Sequence, residues 1–396
     1  MDDFIFNPMA PEFVADPYPT YHRLRALDPV YRSPLGFWVL TRYEDVIVAL
    51  RDARFGKEAL GELVAQRQGV ESAGTRLSML DRDPPDHTRL RALVNKAFTS
   101  RVVDALRPRV QQIVDELLGR VEGGGRMDLI EDFAYPLPVI VICEMLGVPL
   151  EDREHFKSWG LDIARGLDAL LMPPGSDVHR RAMEARKAIA AYFRTLIAER
   201  RGAPRADLLS SLIATEEAGD RLSEDELLAT CILLLIAGHE TTANLIGNGV
   251  LALLRHPDEL RRLRQDPGLI QSAVEELLRY DGPVQRTARI PSEDISIGGH
   301  VIPKGELVMP FIGAADRDPE QFPDPDRLDI ARADNRHIAF GWGIHFCLGA
   351  PLARVEGQIA VNALVQRFPR LAVATDAPEF RQSLTLRGLT RLPVTF

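Results

Sequence analysis

Residues 340–349 read FGWGIHFCLG and contain the most informative pattern in the chain. Glycines lie on both sides of Cys347, so the backbone there can turn tightly and approach a flat ligand. The residues that follow predict a helix from Cys347 to about Phe368, with Pro351 in the first turn, where proline is tolerated. The dipole and the backbone N–H groups at a helix N-terminus stabilise a thiolate. Such a thiolate is a strong axial ligand for haem iron and favours cleavage of the O–O bond.

The other two cysteines are expected to be core residues. Cys143 ends the apolar run at residues 139–143, and Cys231 lies in an apolar helical pattern. The wide spacing of the three cysteines does not fit a paired metal-ligand motif. For Cys347 the alternative is a glycine-rich turn in which a cysteine falls by chance. The order of aromatic residue, glycines, His345 and cysteine favours the iron ligand.

The longest predicted helix runs from about Glu224 to Arg255. Ser223 and Glu226 form a capping-box pattern at its start, and a His-Pro pair at residues 256–257 ends it.

The middle of this helix reads AGHETT, residues 237–242. Glu240 and Thr241 supply an acid that can carry protons and an alcohol that can donate a hydrogen bond, both of which dioxygen cleavage needs. Gly238 removes a side chain where a ligand could press against the helix, and His239 is interpreted as structural. The alternative is a polar patch without a catalytic role. The nearby prediction of a thiolate ligand favours the catalytic interpretation.

Helical patterns dominate the rest of the chain, with a smaller β portion. The predicted helices cover residues 43–50, 90–120, 136–201 with a break at 172–175, and 267–280. The predicted strands lie at residues 37–40 and 295–297, and the Pro- and Asp-rich stretch 316–329 is expected to be irregular. Because no linker or repeat divides the 396 residues, we expect one mainly α domain over residues 1–396.

The N-terminus and the net charge limit the location and partners. The chain begins Met1-Asp2-Asp3, which is acidic, and no long apolar segment follows, so neither a secretory signal nor a membrane anchor is expected. The most apolar run, residues 232–237, is too short to span a bilayer. We therefore expect a cytoplasmic monomer. The net charge of −9 argues against a nucleic-acid partner.

The Cys347 segment and the AGHETT helix resemble the haem loop and the oxygen-activating helix of the cytochrome P450 family. The resemblance covers nearly the whole chain and is greatest to the soluble bacterial branch, whose members oxidise polyketides and other secondary metabolites. It implies a P450-like fold with a long central helix over haem b. It also implies a monooxygenase that uses dioxygen and electrons from a ferredoxin and its reductase. Its substrate would be a small, mainly apolar organic molecule. Hydroxylation, epoxidation, desaturation and phenol coupling remain open.

The resemblance implies roles for individual residues. Cys347 is the metal ligand, Thr241 stabilises bound oxygen, and Glu240 relays protons. The implied cofactor-binding residues are His87, Arg91, Ala237, Gly238, Arg289, Phe340, Gly341, His345, Cys347 and Gly349. The implied substrate-pocket residues, besides the segment 60–80, are Leu234, Ala237, Val284, Gln285, Thr385 and Leu386. Gln285 is a candidate for one substrate hydrogen bond, and Arg76 or Arg286 could bind a carboxylate.

Two charged groups have further implied roles. Glu276 and Arg279 lie at i and i+3, which alone is a weak surface pair, but the family completes them with a downstream arginine that matches Arg327. We interpret these three residues as structural support for the haem loop. A locally basic stretch resembles the family's docking region for an acidic iron–sulfur protein, although it could be only a solvated helix face; it comprises Arg89, Arg91, Lys96, Arg101, Arg107 and Arg109.

Two other classes of protein stay open as alternatives. A non-catalytic haem sensor or carrier would have no need of the acid–alcohol pair at Glu240 and Thr241. A metal or redox protein that uses several cysteines conflicts with their spacing.

Overall fold

A computed structural model describes residues 4–68, 78–217 and 222–396. Helices make up most of these ranges, and the strands are short, which confirms the predicted mainly α fold class. The helices are α1 (Pro11–Ala15), α2 (Tyr18–Leu27), α3 (Tyr43–Arg51), α4 (Ala59–Gln68), α5 (Asp86–Ala97), α6 (Ser100–Val121), α7 (Pro136–Leu146), α8 (Arg153–Arg165), α9 (Asp177–Gly202), α10 (Leu208–Glu217), α11 (Glu224–Arg255), α12 (Pro257–Gln265), α13 (Ile270–Asp281), α14 (Ile312–Ala315) and α15 (Ala350–Arg367). The strands are β1 (Val30–Ser33), β2 (Phe37–Leu40), β3 (Phe55–Gly56), β4 (Arg126–Asp128), β5 (Ile290–Pro291), β6 (Ile295–Ile297), β7 (His300–Ile302), β8 (Val308–Pro310), β9 (Ala372–Val373), β10 (Glu379–Phe380), β11 (Leu389–Arg391) and β12 (Pro393–Thr395).

The chain forms two compact units, each built from separate segments. Unit 1 comprises the described parts of Met1–Phe55, Arg107–Leu137 and Thr241–Phe396. Unit 2 comprises the described parts of Gly56–Leu106 and Pro138–Glu240. Helix α11 contributes residues to both units, and the change from one unit to the other falls between Glu240 and Thr241.

Unit 1 contains short sheets and the helices that pack on them. β1 pairs antiparallel with β2, and β2 pairs parallel with β8, so residues far apart in sequence share one sheet. Val30, Leu40, Val308 and Ile338 are fully buried together in a core beneath this sheet. Because Ile338 lies just before the Cys347 segment, this core holds one end of that segment in place.

Unit 2 is helical, and α8 packs on α9 through aromatic side chains. The Phe156 ring meets that of Tyr192 edge to face, with centroids 5.0 Å apart, and Trp159 and Phe193 lie beside them. Such aromatic pairs contribute to packing beyond the apolar area that they bury. The break predicted at residues 172–175 separates α8 from α9.

Helix α11 begins and ends where the sequence predicts. The Ser223 N–H donates to Glu226 Oε2 at 2.8 Å, and the Glu226 N–H donates to Ser223 Oγ at 3.2 Å, which is a reciprocal capping box. By length and composition α11 could cross a membrane, but 61% of its most apolar window is buried inside the protein. A buried core helix passes the same test, so this property is weak evidence for a membrane span.

Three helix predictions differ from the structure. The pattern over residues 90–120 is split into α5 and α6 by a break at Phe98 and Thr99, and the pattern over residues 136–201 is also broken at residues 147–152, between α7 and α8. Helix α15 begins at Ala350 rather than at Cys347, because its first i to i−4 hydrogen bond runs from the Ala353 N–H to the Gly349 carbonyl. The Ala350 N–H still donates to the Cys347 carbonyl at 3.4 Å, so Cys347 lies at the entrance of the helix.

Candidate functional site

The loop before α15 folds back on itself and presents Cys347. The Cys347 N–H donates to the Phe340 carbonyl at 2.9 Å, which closes residues 340–347 into a compact turn. Gly341 and Gly343 both have φ of +72°, a conformation that side chains disfavour. A Cβ at Gly343 would also lie 2.5 Å from the Leu50 carbonyl oxygen, so this position requires glycine.

The three cysteines have different surroundings. Cys143 and Cys231 are fully buried, and burial raises the pKa of each thiol to about 12. Both are therefore the core residues that the sequence predicts. Cys347 is half-buried, and His345 lies half-buried two residues before it.

A buried ion pair on α13 supports the loop region. Arg279 Nε and Nη2 each donate to Glu276 at 2.8 Å, and both side chains are completely inaccessible to solvent. Bidentate pairs of this kind are stronger than surface pairs. The Arg279 guanidinium also donates to the carbonyls of Asp316 and Pro325, so it connects α13 to the irregular segment before the loop.

The prediction that Arg327 completes this network is wrong. The arginine that reaches Glu276 is Arg332, whose Nε lies 3.1 Å from Oε2. Arg327 contributes only its carbonyl, which accepts hydrogen bonds from Arg279 and Arg332, and its side chain is exposed. The turns after residue 327 bring position 332 back over the carboxylate and direct position 327 to solvent.

Three charged or polar residues near the loop were missed in the sequence. Glu275 binds Arg354 of α15 through two contacts of 2.7 Å and His337 through one of 3.0 Å. The two adjacent acids of α13 are a signal in the sequence. Because only Glu276 pairs with Arg279, its neighbour Glu275 requires partners of its own. The partners of the other acid could not be read from the sequence.

The centre of α11 places the acid–alcohol pair in different settings. Glu240 is buried and Thr241 is half-buried, whereas Ala237 is exposed. Gly238 has a packing role that the sequence did not suggest, because a Cβ there would lie 3.1 Å from Ile142 of α7. The missing side chain therefore makes room for a neighbouring helix.

His239 has the structural role that was expected of it. Its Nδ1 lies 2.6 Å from the Leu235 carbonyl oxygen, and its ring packs so closely on Gly160 of α8 that a Cβ there would lie 2.7 Å from Nε2. Leu234, one of the expected pocket residues, is buried on the same helix.

Two segments of unit 1 bring other predicted pocket residues together. Val284 pairs with Leu386 in an isolated antiparallel bridge, and the Gln285 N–H donates to the Thr385 carbonyl at 2.9 Å. Val284, Thr385 and Leu386 are half-buried. These three therefore form one partly apolar surface in unit 1.

Gln285 was expected to contact substrate, and the structure contradicts this. Its Oε1 accepts from the Tyr21 hydroxyl at 3.0 Å, and its Nε2 donates to the Gly282 carbonyl at 2.8 Å. A Cβ at Gly313 would lie 2.2 Å from Oε1, so the amide is tightly enclosed. In an extended segment neighbouring side chains point to opposite sides, which puts Gln285 in the core when Val284 faces outwards.

The expected cationic clamp residues lie in both units. In unit 2, His87 and Arg91 lie one turn apart on α5, and burial, then the charge of Arg91, lower the pKa of the buried His87. In unit 1, the buried Arg289 donates to Thr287 Oγ1 at 3.1 Å and to the Ala288 carbonyl at 2.8 Å. Arg76 and part of the expected pocket wall lie outside the described residues.

The basic stretch is not a uniform solvated face. Arg89 is paired with Glu226 in unit 2, and Arg109 lies 3.5 Å from Glu116 in unit 1. Arg101 is exposed.

The family of the chain follows from a comparison with known proteins. A family model described as Cytochrome P450 matches residues 29–395. The chain belongs to the cytochrome P450 family. This P450 is 48% identical over 397 residues to Cytochrome P450 107B1 of Saccharopolyspora erythraea. The alignment covers 96% of this chain and 95% of the relative. It is 42% identical over 413 residues to the Polyketide biosynthesis cytochrome P450 PksS of Bacillus subtilis, with coverage of 100% and 99%.

A solved P450 structure has the same fold. The crystal structure of P450BioI in complex with hexadec-9Z-enoic acid ligated acyl carrier protein matches with a TM-score of 0.88 at 43% identity. The match covers 97% of this chain and 99% of that one. The resemblance noted in the two motifs is therefore confirmed. The protein is a cytochrome P450 monooxygenase, and its family implies a haem cofactor, a redox partner and a small-molecule substrate.

The residues around Cys347 of this P450 fit a haem cofactor. A Cβ at Gly349 would lie 3.9 Å from Cys347 Sγ, so the glycine leaves room beside the sulfur. Trp342, Ile344 and Phe346 expose large apolar surfaces on the same loop. Among the described residues no group of three or more His, Cys, Asp or Glu side chains could hold a bare metal ion. A single thiolate is sufficient where a macrocycle supplies the remaining ligands.

Proposed function

We propose that Cys347 is the axial ligand of haem b in a monooxygenase that hydroxylates or epoxidises a small, mainly apolar organic substrate. The half-buried position of Cys347 in its glycine-rich loop carries this proposal, since the other two cysteines are buried in the core. When bound, the haem supplies the iron centre at which dioxygen is reduced. One oxygen atom goes to the substrate and the other to water.

The residues that the family resemblance assigns to the haem carboxylates are His87, Arg91, Arg289 and His345. They offer the charge and N–H groups that carboxylates need. Burial and the charge of Arg91 lower the pKa of His87 and so disfavour its charged form, and Arg91 supplies a permanent charge. Ala237, Phe340 and Gly341 contribute close contacts to the flat ring.

Glu240 and Thr241 deliver protons during dioxygen reduction. The buried Glu240 carboxyl would relay protons, and the Thr241 hydroxyl would donate a hydrogen bond to bound oxygen. The pair supports an enzyme over the alternative of a haem sensor or carrier, which would not need a proton route.

The substrate binds against apolar side chains. We assign contacts with the substrate to Val284, Thr385 and Leu386 and, separately, to Leu234 and Ala237 of α11, since small-molecule sites are mostly apolar with few polar groups. A role in secondary metabolism is supported by the likeness to a P450 named for polyketide biosynthesis. A screen of polyketides and long-chain acids for a substrate-induced shift of the Soret band tests this class; no shift with either set overturns it.

A ferredoxin with its reductase supplies the electrons. The exposed Arg101 suits a brief encounter with a small acidic protein. We propose that residues 1–396 act as one haem domain, since the family match covers residues 29–395, and that the protein is a cytoplasmic monomer.

The ligand assignment is tested on the reduced protein with carbon monoxide. We expect the red-shifted Soret band of thiolate-ligated haem in the parent and in the control Cys143→Ala. Cys347→His should lose that band. An imidazole-type band in well-folded parent protein would overturn the assignment of Cys347.

A further inference from the structure

Glu275 forms a compact cluster with residues of α15 and of the segment before the loop. Its Oε1 lies 2.7 Å from Arg354 Nε, and its Oε2 lies 2.7 Å from Arg354 Nη2. This is a two-point contact between a carboxylate and a guanidinium, which fixes the orientation of both groups. Glu275 Oε2 also lies 3.0 Å from Nε2 of His337, whose side chain is almost completely buried.

The hydrogen bonds of His337 determine its tautomer. The Ala339 N–H donates to His337 Nδ1 at 3.2 Å, so Nδ1 is the acceptor. The proton therefore lies on Nε2, which donates to Glu275. Through this imidazole the carboxylate is connected to the backbone one residue before Phe340.

Arg354 and His337 both pack beside the Phe340 ring. The Arg354 guanidinium carbon lies 4.6 Å from the ring centroid, and the His337 ring centroid lies 6.0 Å from it. The Phe340 carbonyl in turn accepts the Cys347 N–H at 2.9 Å. A continuous set of contacts within unit 1 thus connects the Glu275 carboxylate to the backbone of Cys347.

The charge of Glu275 is maintained at neutral pH. Partial burial alone would raise the pKa of this carboxyl, but hydrogen bonds from His337 and Arg354 outweigh burial and lower it to about 2. The carboxylate therefore compensates the Arg354 cation beside the loop. If the carboxylate were removed, that cation would remain against the Phe340 ring of the loop without its counter-charge.

We propose that Glu275 is a positioning residue for the Cys347 loop, which acts through Arg354, His337 and Phe340 and sets how strongly the sulfur donates electrons to iron. This inference rests on the proposed role of Cys347 as ligand. Groups outside the first ligands commonly tune metal sites by orientation and charge. Glu275 therefore differs from Glu276, which pairs with Arg279 and Arg332 rather than with Arg354.

The test compares reduction potentials of haem-loaded variants. In Glu275→Gln the amide cannot accept from both Arg354 N–H groups, and the cation loses its counter-charge. Because reduction of the iron adds an electron, an uncompensated cation nearby favours the reduced form. We expect a positive shift of the midpoint potential in this variant. Glu275→Asp keeps the charge and should stay near the parent value.

Two further variants separate this effect from general destabilisation. Glu275→Gln combined with Arg354→Gln removes both charges and should return the potential towards the parent value. Glu122→Gln removes a different ion pair to the same helix, the 2.5 Å contact with Arg367, and should leave the potential unchanged. If Glu275→Gln does not take up haem, the double variant should recover haem binding.

Several results would overturn the inference. These are an unchanged potential in Glu275→Gln, an equal shift in Glu122→Gln, or a double variant that stays as shifted as the single one. If Glu275→Gln does not bind haem and the double variant does not restore binding, the inference is also overturned. A parent without the thiolate-type Soret band would instead overturn the proposed ligand and this inference with it.

Discussion

Glu356 on α15 is a buried carboxyl whose ionisation opposes folding. The residue is 1% exposed. Burial raises the pKa of this carboxyl from the ordinary 4.5, a nearby hydroxyl on Thr242 of α11 lowers it by less, and the net value is about 8. The folded protein therefore retains a proton that the unfolded chain releases at lower pH.

The sign and size of the effect follow from this difference. Well below pH 4.5 the carboxyl is protonated in both the folded and the unfolded chain, so its ionisation does not change the free energy of unfolding. Between pH 4.5 and 8 the unfolded chain ionises first, so stability falls as pH rises. At about 1.4 kcal/mol per pKa unit, the loss between pH 5 and pH 7 is on the order of 2 to 3 kcal/mol.

The prediction is that Glu356→Gln removes this pH dependence. The amide has nearly the same shape and stays neutral, so its own cost of burial is the same at every pH. We expect the free energy of unfolding of the variant, minus that of the parent, to increase by about 2 to 3 kcal/mol from pH 5 to pH 7. Equilibrium urea unfolding of the haem-loaded proteins at several pH values measures this difference.

The control is the exposed Glu379→Gln, which removes one acidic group from the surface. A difference between Glu356→Gln and the parent that is the same at pH 5 and pH 7 would refute the reasoning. It would mean that Glu356 is ionised in the folded protein and stabilised by a group other than Thr242.

Further variants test the site and its supports. Thr241→Ala should keep haem but consume electrons without forming product; equal coupling of reductant use to product in variant and parent would place proton delivery elsewhere. Arg332→Gln should lower the free energy of unfolding by about 1 to 2 kcal/mol because it removes one of the two guanidinium partners of the buried Glu276, which stays paired with Arg279. Arg327→Gln should change it by less than about 0.5 kcal/mol. Equal effects in urea unfolding would contradict the assignment of Arg332. In Gly238→Ala the new methyl group, 3.1 Å from Ile142, should offset the gain of about 1 kcal/mol in helix propensity, so the variant should be no more stable than the parent, and Ile142→Val should release part of that gain. No gain in the double variant would show that Gly238 is needed for another reason.

Local features of the chain were predictable because they depend on residues close in sequence. The capping box at Ser223 and Glu226 spans three positions, and the glycine-rich turn at Cys347 closes within eight. Backbone sterics and short hydrogen bonds determine such features almost independently of the rest of the fold. The start of α11, its end before Pro257 and the cysteine loop were therefore predicted correctly.

Side-chain partners across the fold were not predictable in this way. Arg327 and Arg332 are equally suitable in composition, and only the path of the irregular segment decides which of them reaches Glu276. The sequence suggested that Gln285 could contact the substrate, but its amide oxygen accepts a hydrogen bond from Tyr21, which lies 264 positions away in the sequence. The need for a small residue at position 238 likewise arises from the close approach of α7.

The sequence alone indicated the family, the cysteine loop and the acid–alcohol pair, because each rests on a short motif with a chemical requirement of its own. The tertiary structure alone decided which charges are compensated. Glu275 and Arg354 are 79 positions apart, and their contact depends on α13 packing against α15. A carboxylate selects its partner by distance and burial, and both are properties of the folded chain rather than of sequence spacing.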